Sequence, residues 1–176
     1  MNPQKFRNAE IIGAAATVAG SFLFHFLYVW TQNGLIALFS AVNESIWEHV
    51  KIVFFPYLIA AGIEYMALKP NLRRYLTAKA AGLIFIPLAM ISFYYTYSGI
   101  LGFRLTAVDI SCAVLWSVLA FVISHKLYFS KMNIEKNAVW LAALCAAFVL
   151  ALFVFTYYPP HIPLFRDGVT GQFGIG

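Results

Sequence analysis

The stretch NESIWEHVK, residues 43–51, sets Glu44, Glu48 and His49 side by side in a chain with only seven acidic residues and four histidines. Carboxylate and imidazole together form a donor set for divalent metal ions, and a metal-bound water is a hydrolytic nucleophile. If the segment is helical from residue 44, Glu44, Glu48 and Lys51 fall within roughly 60° of one another, with Ser45 and His49 on the adjoining arc. The expected ligand pool for one divalent ion is therefore Glu44, Glu48 and His49, completed by His25 or His161. Glu48, His49 and Asp109 are the candidates for acid–base work, with Glu48 as general base. Arg104, Arg166, Asp167 and Trp47 lie on the same side and are the candidates for holding a substrate.

A structural reading competes with this one. Glu44 would complement a helix dipole, Glu48 would pair with Lys51, and His49 would sit in the headgroup layer. His25 resists that treatment because it interrupts an otherwise apolar run. Known signatures are incomplete. His-Glu-x-x-His is absent, and the inverted form His-x-x-Glu-His would use residues 45–49, where Ser45 replaces the first histidine. No glycine-rich phosphate loop and no recognisable nucleophile context occur in the sequence.

The elements that must position these groups are apolar helices. Hydrophobic residues make up 62% of the chain and charged residues 11%, against roughly 45–50% and about 25% in soluble domains. A single core of this size cannot hide that surplus, so it must face lipid. Five long apolar stretches approach the ~20 residues needed to cross a bilayer. The expected helices run over about 11–30, 44–68, 78–103, 105–128 and 137–158, in a single transmembrane domain spanning 1–176. LIALFSAV, after the first span, is too short to cross and reads as a re-entrant or interfacial helix. The tail 159–176 is broken by prolines yet apolar, and reads as an extended strap over the outer mouth. The fold class is all-α, a polytopic integral membrane protein.

Charge sets the orientation. Three segments, residues 1–10, 69–79 and 126–136, hold nine of the twelve basic residues, and five crossings put all three on one side. The positive-inside rule makes that side cytoplasmic, so the N-terminus is in and the C-terminus out. Short basic clusters between apolar runs argue against nucleic acid as a partner despite the net charge of +5. Glu64, nearer the cytoplasmic end, is expected to pair with Lys79; for Asp109, a bond to Arg104 or to the hydroxyls of Thr106 and Ser111 is the structural alternative to a functional role. Cys112 and Cys145 sit at depths differing by roughly 10 Å and are not expected to bridge.

HFLYVW, LFSAVNESIWEHVKIVFFP and PPHIPLFRDGVTGQFGI together resemble an uncharacterised family of small bacterial multi-pass membrane proteins. The Asn-Glu-Ser-x-Trp-Glu-His block is the most specific part. The resemblance implies the bacterial cytoplasmic (inner) membrane, and it implies no reaction, substrate or cofactor. Three function classes stay open: a metal-dependent membrane-embedded hydrolase acting on lipid or peptide, a small-solute or proton-coupled transporter, and a non-catalytic accessory subunit. The bilayer is the partner the composition names; a homo-oligomer and a protein partner are both open.

Overall fold

The computed structural model describes residues 2–175. Six α-helices follow in order: α1 (Pro3–Thr31), α2 (Gly34–Ala37), α3 (Ile46–Leu68), α4 (Leu72–Leu101), α5 (Thr106–Tyr128) and α6 (Ala138–Tyr157). Single 3₁₀ turns occupy Glu135–Asn137 and Pro163–Phe165. Among the described residues there is no strand, and the isolated bridge Arg166–Phe173 lies in the tail. Five helices are long and apolar enough to cross a membrane: α1, α3, α4, α5 and the segment Glu135–Tyr157 that contains α6. The chain is an all-α, multi-pass membrane protein.

Capping residues explain where the helices begin. α1 starts at Pro3, well before the apolar run, because Asn2 accepts from the Gln4 and Lys5 amides and proline suits the first turn. α4 likewise starts at Leu72 rather than near residue 78, with the Asn71 side chain accepting from the Arg74 amide. α3 begins at Ile46 rather than residue 44. Ser45 is its N-cap, accepting from the Glu48 amide, while Asn43 accepts from the Ser45 amide one step earlier. Glu44 is therefore outside the helix. The short segment after α1 is a single turn, α2, not a longer interfacial helix.

About half of each membrane-spanning window of α3 and α4 is buried, against less than a fifth in α1, α5 and the segment containing α6. The helix pairs in closest association are α4 with α5 and α1 with α3. Small residues allow the tightest approaches. A Cβ on Gly82 of α4 would stand 2.6 Å from the Ala120 carbonyl oxygen of α5 and would clash with the Tyr57 hydroxyl of α3. One on Gly20 of α1 would stand 3.0 Å from Pro56 Cβ in α3. Such close backbone contact is a main source of helix association in lipid.

The two ends of the bundle differ. At the end rich in basic residues, Lys79 Nζ lies 2.6 Å from Glu10 and 2.8 Å from Glu64, all three buried, and the Ser124 hydroxyl donates to Glu10 at 3.0 Å. The Phe121 ring lies 4.5 Å from the same ammonium. The pairing expected of Glu64 is present, and Glu10 joins it. At the other end the tail folds back as a strap: Phe165 packs on Trp47 of α3 and Phe155 of α6, and the Asn43 side chain donates to the Gly174 carbonyl.

Removing the shared cation would strand two buried carboxylates, and breaking a buried pair in this way costs about 3–5 kcal/mol. Lys79→Met is therefore expected to lower the unfolding midpoint in detergent sharply. Adding Glu10→Gln and Glu64→Gln should recover most of the loss. A single variant as stable as wild type would show that the triad does not brace the bundle.

Candidate functional site

At the strap end, His25 of α1, Glu44 of the α2–α3 connection and His49 of the first turn of α3 converge. His25 Nε2 is 3.7 Å from Glu44 Oε1, and His49 Nε2 is 3.4 Å from Glu44 Oε2. One ligand atom from each of the three lies within 4.8 Å of the others. The histidine rings, with centroids 5.4 Å apart, are each about a quarter exposed. A tetrahedral ion with bonds near 2.0–2.2 Å needs ligand atoms roughly 3.3–3.6 Å apart; the two histidines stand near that distance from opposite oxygens of Glu44, so one ion would draw the three side chains slightly together.

Local structure prepares each member. His49 Nδ1 lies 2.7 Å from the Ser45 carbonyl oxygen, which can only accept, so Nδ1 carries a proton; the Glu44 carboxylate likewise only accepts, so Nε2 donates to it, and a metal ion would take the place of that second proton. That backbone partner is the outer-shell contact metal-bound histidines use. Hydrogen bonding with His49 holds the Glu44 carboxyl below its usual range, against the opposing effect of burial; nearby His25 and Arg104 act in the same direction. The strap reaches the same loop, its Gly168 amide pointing at the Glu44 carbonyl oxygen at 3.5 Å.

The turn of α1 that carries His25 makes a contact that the sequence does not announce. Ser40 Oγ accepts from the Tyr28 amide and donates to the Phe24 carbonyl, the two backbone groups that an α-helix joins directly. A hydroxyl inserted into the ladder is a recognised cause of local helix distortion. It falls on the turn that carries His25.

Beneath the three residues lies a cavity of about 380 Å³ between α1, α3, α4 and α5. Val18, Phe22, Ile52, Met90, Phe93 and Trp116 are among its apolar walls. Its polar head also includes Arg104 and Asp109. Asp109, in the first turn of α5, accepts from the Tyr97 hydroxyl at 2.5 Å, and that oxygen accepts in turn from the Leu105 amide. The partner of Asp109 is thus a tyrosine of α4, not Arg104, Thr106 or Ser111.

The remaining expected residues lie elsewhere. Glu48 faces away from His25 and Glu44 and is fully buried against Lys51 at 2.5 Å, also accepting from the Val42 amide. Trp47 is buried among Phe148, Phe155 and Phe165. His161 is exposed on the strap, its ring 4.6 Å from that of Phe173. Arg166 and Asp167 border a separate shallow groove with Tyr94, Tyr95 and Ser98. Cys112 and Cys145 are both free thiols. Sequence reading passed over Ser40 and Tyr97, which carry no charge and no motif.

A family model described as "Family of unknown function (DUF6512)" matches residues 2–175, and the chain belongs to that family. No curated protein and no solved structure matches it.

The strap has its own titration. The Asp167 carboxylate accepts from the Val169 and Thr170 amides at 2.6 and 3.1 Å. Burial pushes its pKa up, but these bonds outweigh burial and hold it below the usual carboxylate value. A lowered folded pKa stabilises above the unfolded value of about 3.9 and is lost as pH falls through the folded one. Asp167→Asn should therefore speed amide exchange across residues 166–174 at about pH 6, with the difference from wild type shrinking towards about pH 3. A constant difference across that range would refute the assignment.

Proposed function

We propose that this chain is a membrane-embedded hydrolase that holds one divalent metal ion at His25, Glu44 and His49, at the head of the apolar cavity. The carrying observation is the convergence of two imidazoles and one carboxylate within 4.8 Å of one another over that cavity. Two histidines and a glutamate form a catalytic donor set for zinc, one that leaves a fourth position for water. When bound, the ion would lower the pKa of a coordinated water and so supply a nucleophile near neutral pH.

The chain's own groups take the other roles. Asp109 lines the same cavity, and only one of its oxygens is engaged by Tyr97. It would accept a proton from the attacking water and return it to the leaving group, the oxygen of an ester or the nitrogen of an amide, as that bond breaks. The general-base role expected of Glu48 passes to Asp109, because Glu48 is held by Lys51 outside the cavity. Arg104 stands at the cavity head to hold substrate. An apolar cavity with a polar head suits an amphiphile better than a water-soluble solute. Charged groups gathered at opposite ends, with Tyr57 and Phe121 packed between them, support a site closed towards the basic end over a transport path. The charge asymmetry of the loops supports a cytoplasmic basic end and a site facing outward, and the resemblance to small bacterial membrane proteins supports the bacterial inner membrane.

Elemental analysis of detergent-purified protein, loaded with zinc and then washed, tests the reading. Wild type and Asp109→Asn are expected to keep about one ion per chain. His25→Ala, Glu44→Gln and His49→Ala should lose it while eluting as folded protein. On a lipid ester, Asp109→Asn should then fall about 10²–10⁴-fold in turnover. Folded wild type that retains no divalent ion would remove the metalloenzyme reading.

A further inference from the structure

The cavity and its unpaired cation carry an inference about what the site takes. α1 and α5 meet closely at the basic end, where Gly13 makes room for the Phe121 ring, a Cβ there standing 2.7 Å from Cε1, and where Ser124 donates to Glu10. Towards the strap end the same two helices line the cavity instead, from Val18 to Phe26 on α1 and from Thr106 to Ser117 on α5. Phe22, Phe26 and Ile110 belong both to the cavity lining and to the exposed surface, at 52%, 43% and 48%. On helices that cross a bilayer, such a surface meets acyl chains. The space is therefore bordered by lipid along its length.

The dimensions suit one chain. From His25 to Val18 the lining descends seven residues of α1, or ~10 Å at 1.5 Å per residue. That is about a third of a ~30 Å hydrocarbon core, a depth within one leaflet.

The head is cationic where it matters. Among the described residues the Arg104 guanidinium makes no hydrogen bond and no ion pair, although it lines the cavity beside Glu44 and His49. It has a made place: Gly168 of the strap lacks a Cβ that would stand 2.8 Å from Arg104 Cζ. With the metal ion, Arg104, Glu44, Asp109 and neutral imidazoles, the formal charge of the head is +1. A guanidinium with free donors, beside a divalent ion, matches a phosphate diester.

We propose that the substrate is an anionic phospholipid of the surrounding leaflet, entering sideways between α1 and α5. One acyl chain lies in the cavity and the phosphate rests on Arg104. The identity of the reaction rests on the metal-centre reading above, whereas the lipid site does not. Trp116, which lines the cavity, reports on it directly.

Wild type, Trp116→Phe and Arg104→Gln are reconstituted in phosphatidylcholine nanodiscs containing an equal fraction of acyl-brominated phosphatidylglycerol or acyl-brominated phosphatidylcholine. The wild-type signal minus that of Trp116→Phe isolates the quenching of Trp116. Brominated phosphatidylglycerol is expected to quench it several-fold more than the zwitterionic lipid, and Arg104→Gln should abolish that excess while retaining the divalent ion. Native mass spectrometry of retained phosphatidylglycerol in wild type and Arg104→Gln gives the same comparison without the tryptophan variant. Equal quenching by the two lipids, or an excess that survives in Arg104→Gln, overturns the proposal. Wild type that shows the excess but binds no metal would sink the hydrolase reading and leave the lipid site standing on Arg104.

Discussion

The Glu48–Lys51 pair is where separate stretches of chain meet in the half of the bundle that holds the site. Both side chains are withdrawn from water, Lys51 completely. Burying two charges costs several kcal/mol each, and the arrangement is tolerable only if their hydrogen-bonding capacity is met. Here it is. The ammonium has three protons to give, and its three neighbours are Glu48, the Ala37 carbonyl of α2 and the Thr156 hydroxyl of α6. Glu48 accepts in addition from the Val42 amide. One ion pair thereby ties α3 to α2, to α6 and to the strand of backbone between α2 and α3.

That backbone is what positions the chemistry. Val42 is held by Glu48, Asn43 by the strap, and Ser45 caps α3, so Glu44 is fixed from both sides although it belongs to no helix. The same connection supplies Ser40, whose hydroxyl reaches into the α1 ladder one residue from His25. His49 follows from the Ser45 carbonyl. Glu44 and His49 therefore take their placement from residues 42–48, and Ser40 of the same connection is bonded to the α1 turn that carries His25. A protein can present ligands precisely from a loop when buried polar contacts brace that loop as strongly as a helix would.

Much of the architecture was legible in the sequence because it rests on composition and run length. Five apolar stretches, the proline-broken tail and the Glu64–Lys79 pair all follow from local patterns. Helix starts were not legible in the same way: α1 and α4 extend into polar sequence, where Asn2 and Asn71 decide the boundary and hydropathy is silent. That also hid Glu10, a buried acid placed just ahead of the apolar run. At the site, the residue types were legible but their grouping was not. Helical periodicity puts Glu44 and Glu48 on one face only if both are helical. With Ser45 as the cap, Glu44 leaves the register and swings to the histidines, while Glu48 turns inward to Lys51. The partner that completes Lys51, Thr156, lies 105 residues away and no local pattern points to it.

The cavity itself follows from where small side chains are placed along α1. Helices in lipid gain little from burying apolar surface against each other, because the lipid is equally apolar, so close association depends on shape. Gly13 accepts the Phe121 ring of α5, and Gly20 accepts Pro56 of α3. Beyond Gly20, the side of α1 that lines the cavity opposite α5 carries Phe22, His25 and Phe26, while α5 offers Ile110, Ala113 and Trp116. No glycine occurs on either helix in that stretch to let the backbones approach. α1 can stay seated on α3 while α5 stands off, and the space between them is filled neither by protein backbone nor by a matching ridge. A protein surrounded by lipid can leave such a gap at low cost, since acyl chains supply the missing contacts. The spacing of glycines that tightens one half of the bundle therefore opens the other, directly below the only three-residue His/Glu grouping among the described residues with its ligand atoms mutually close.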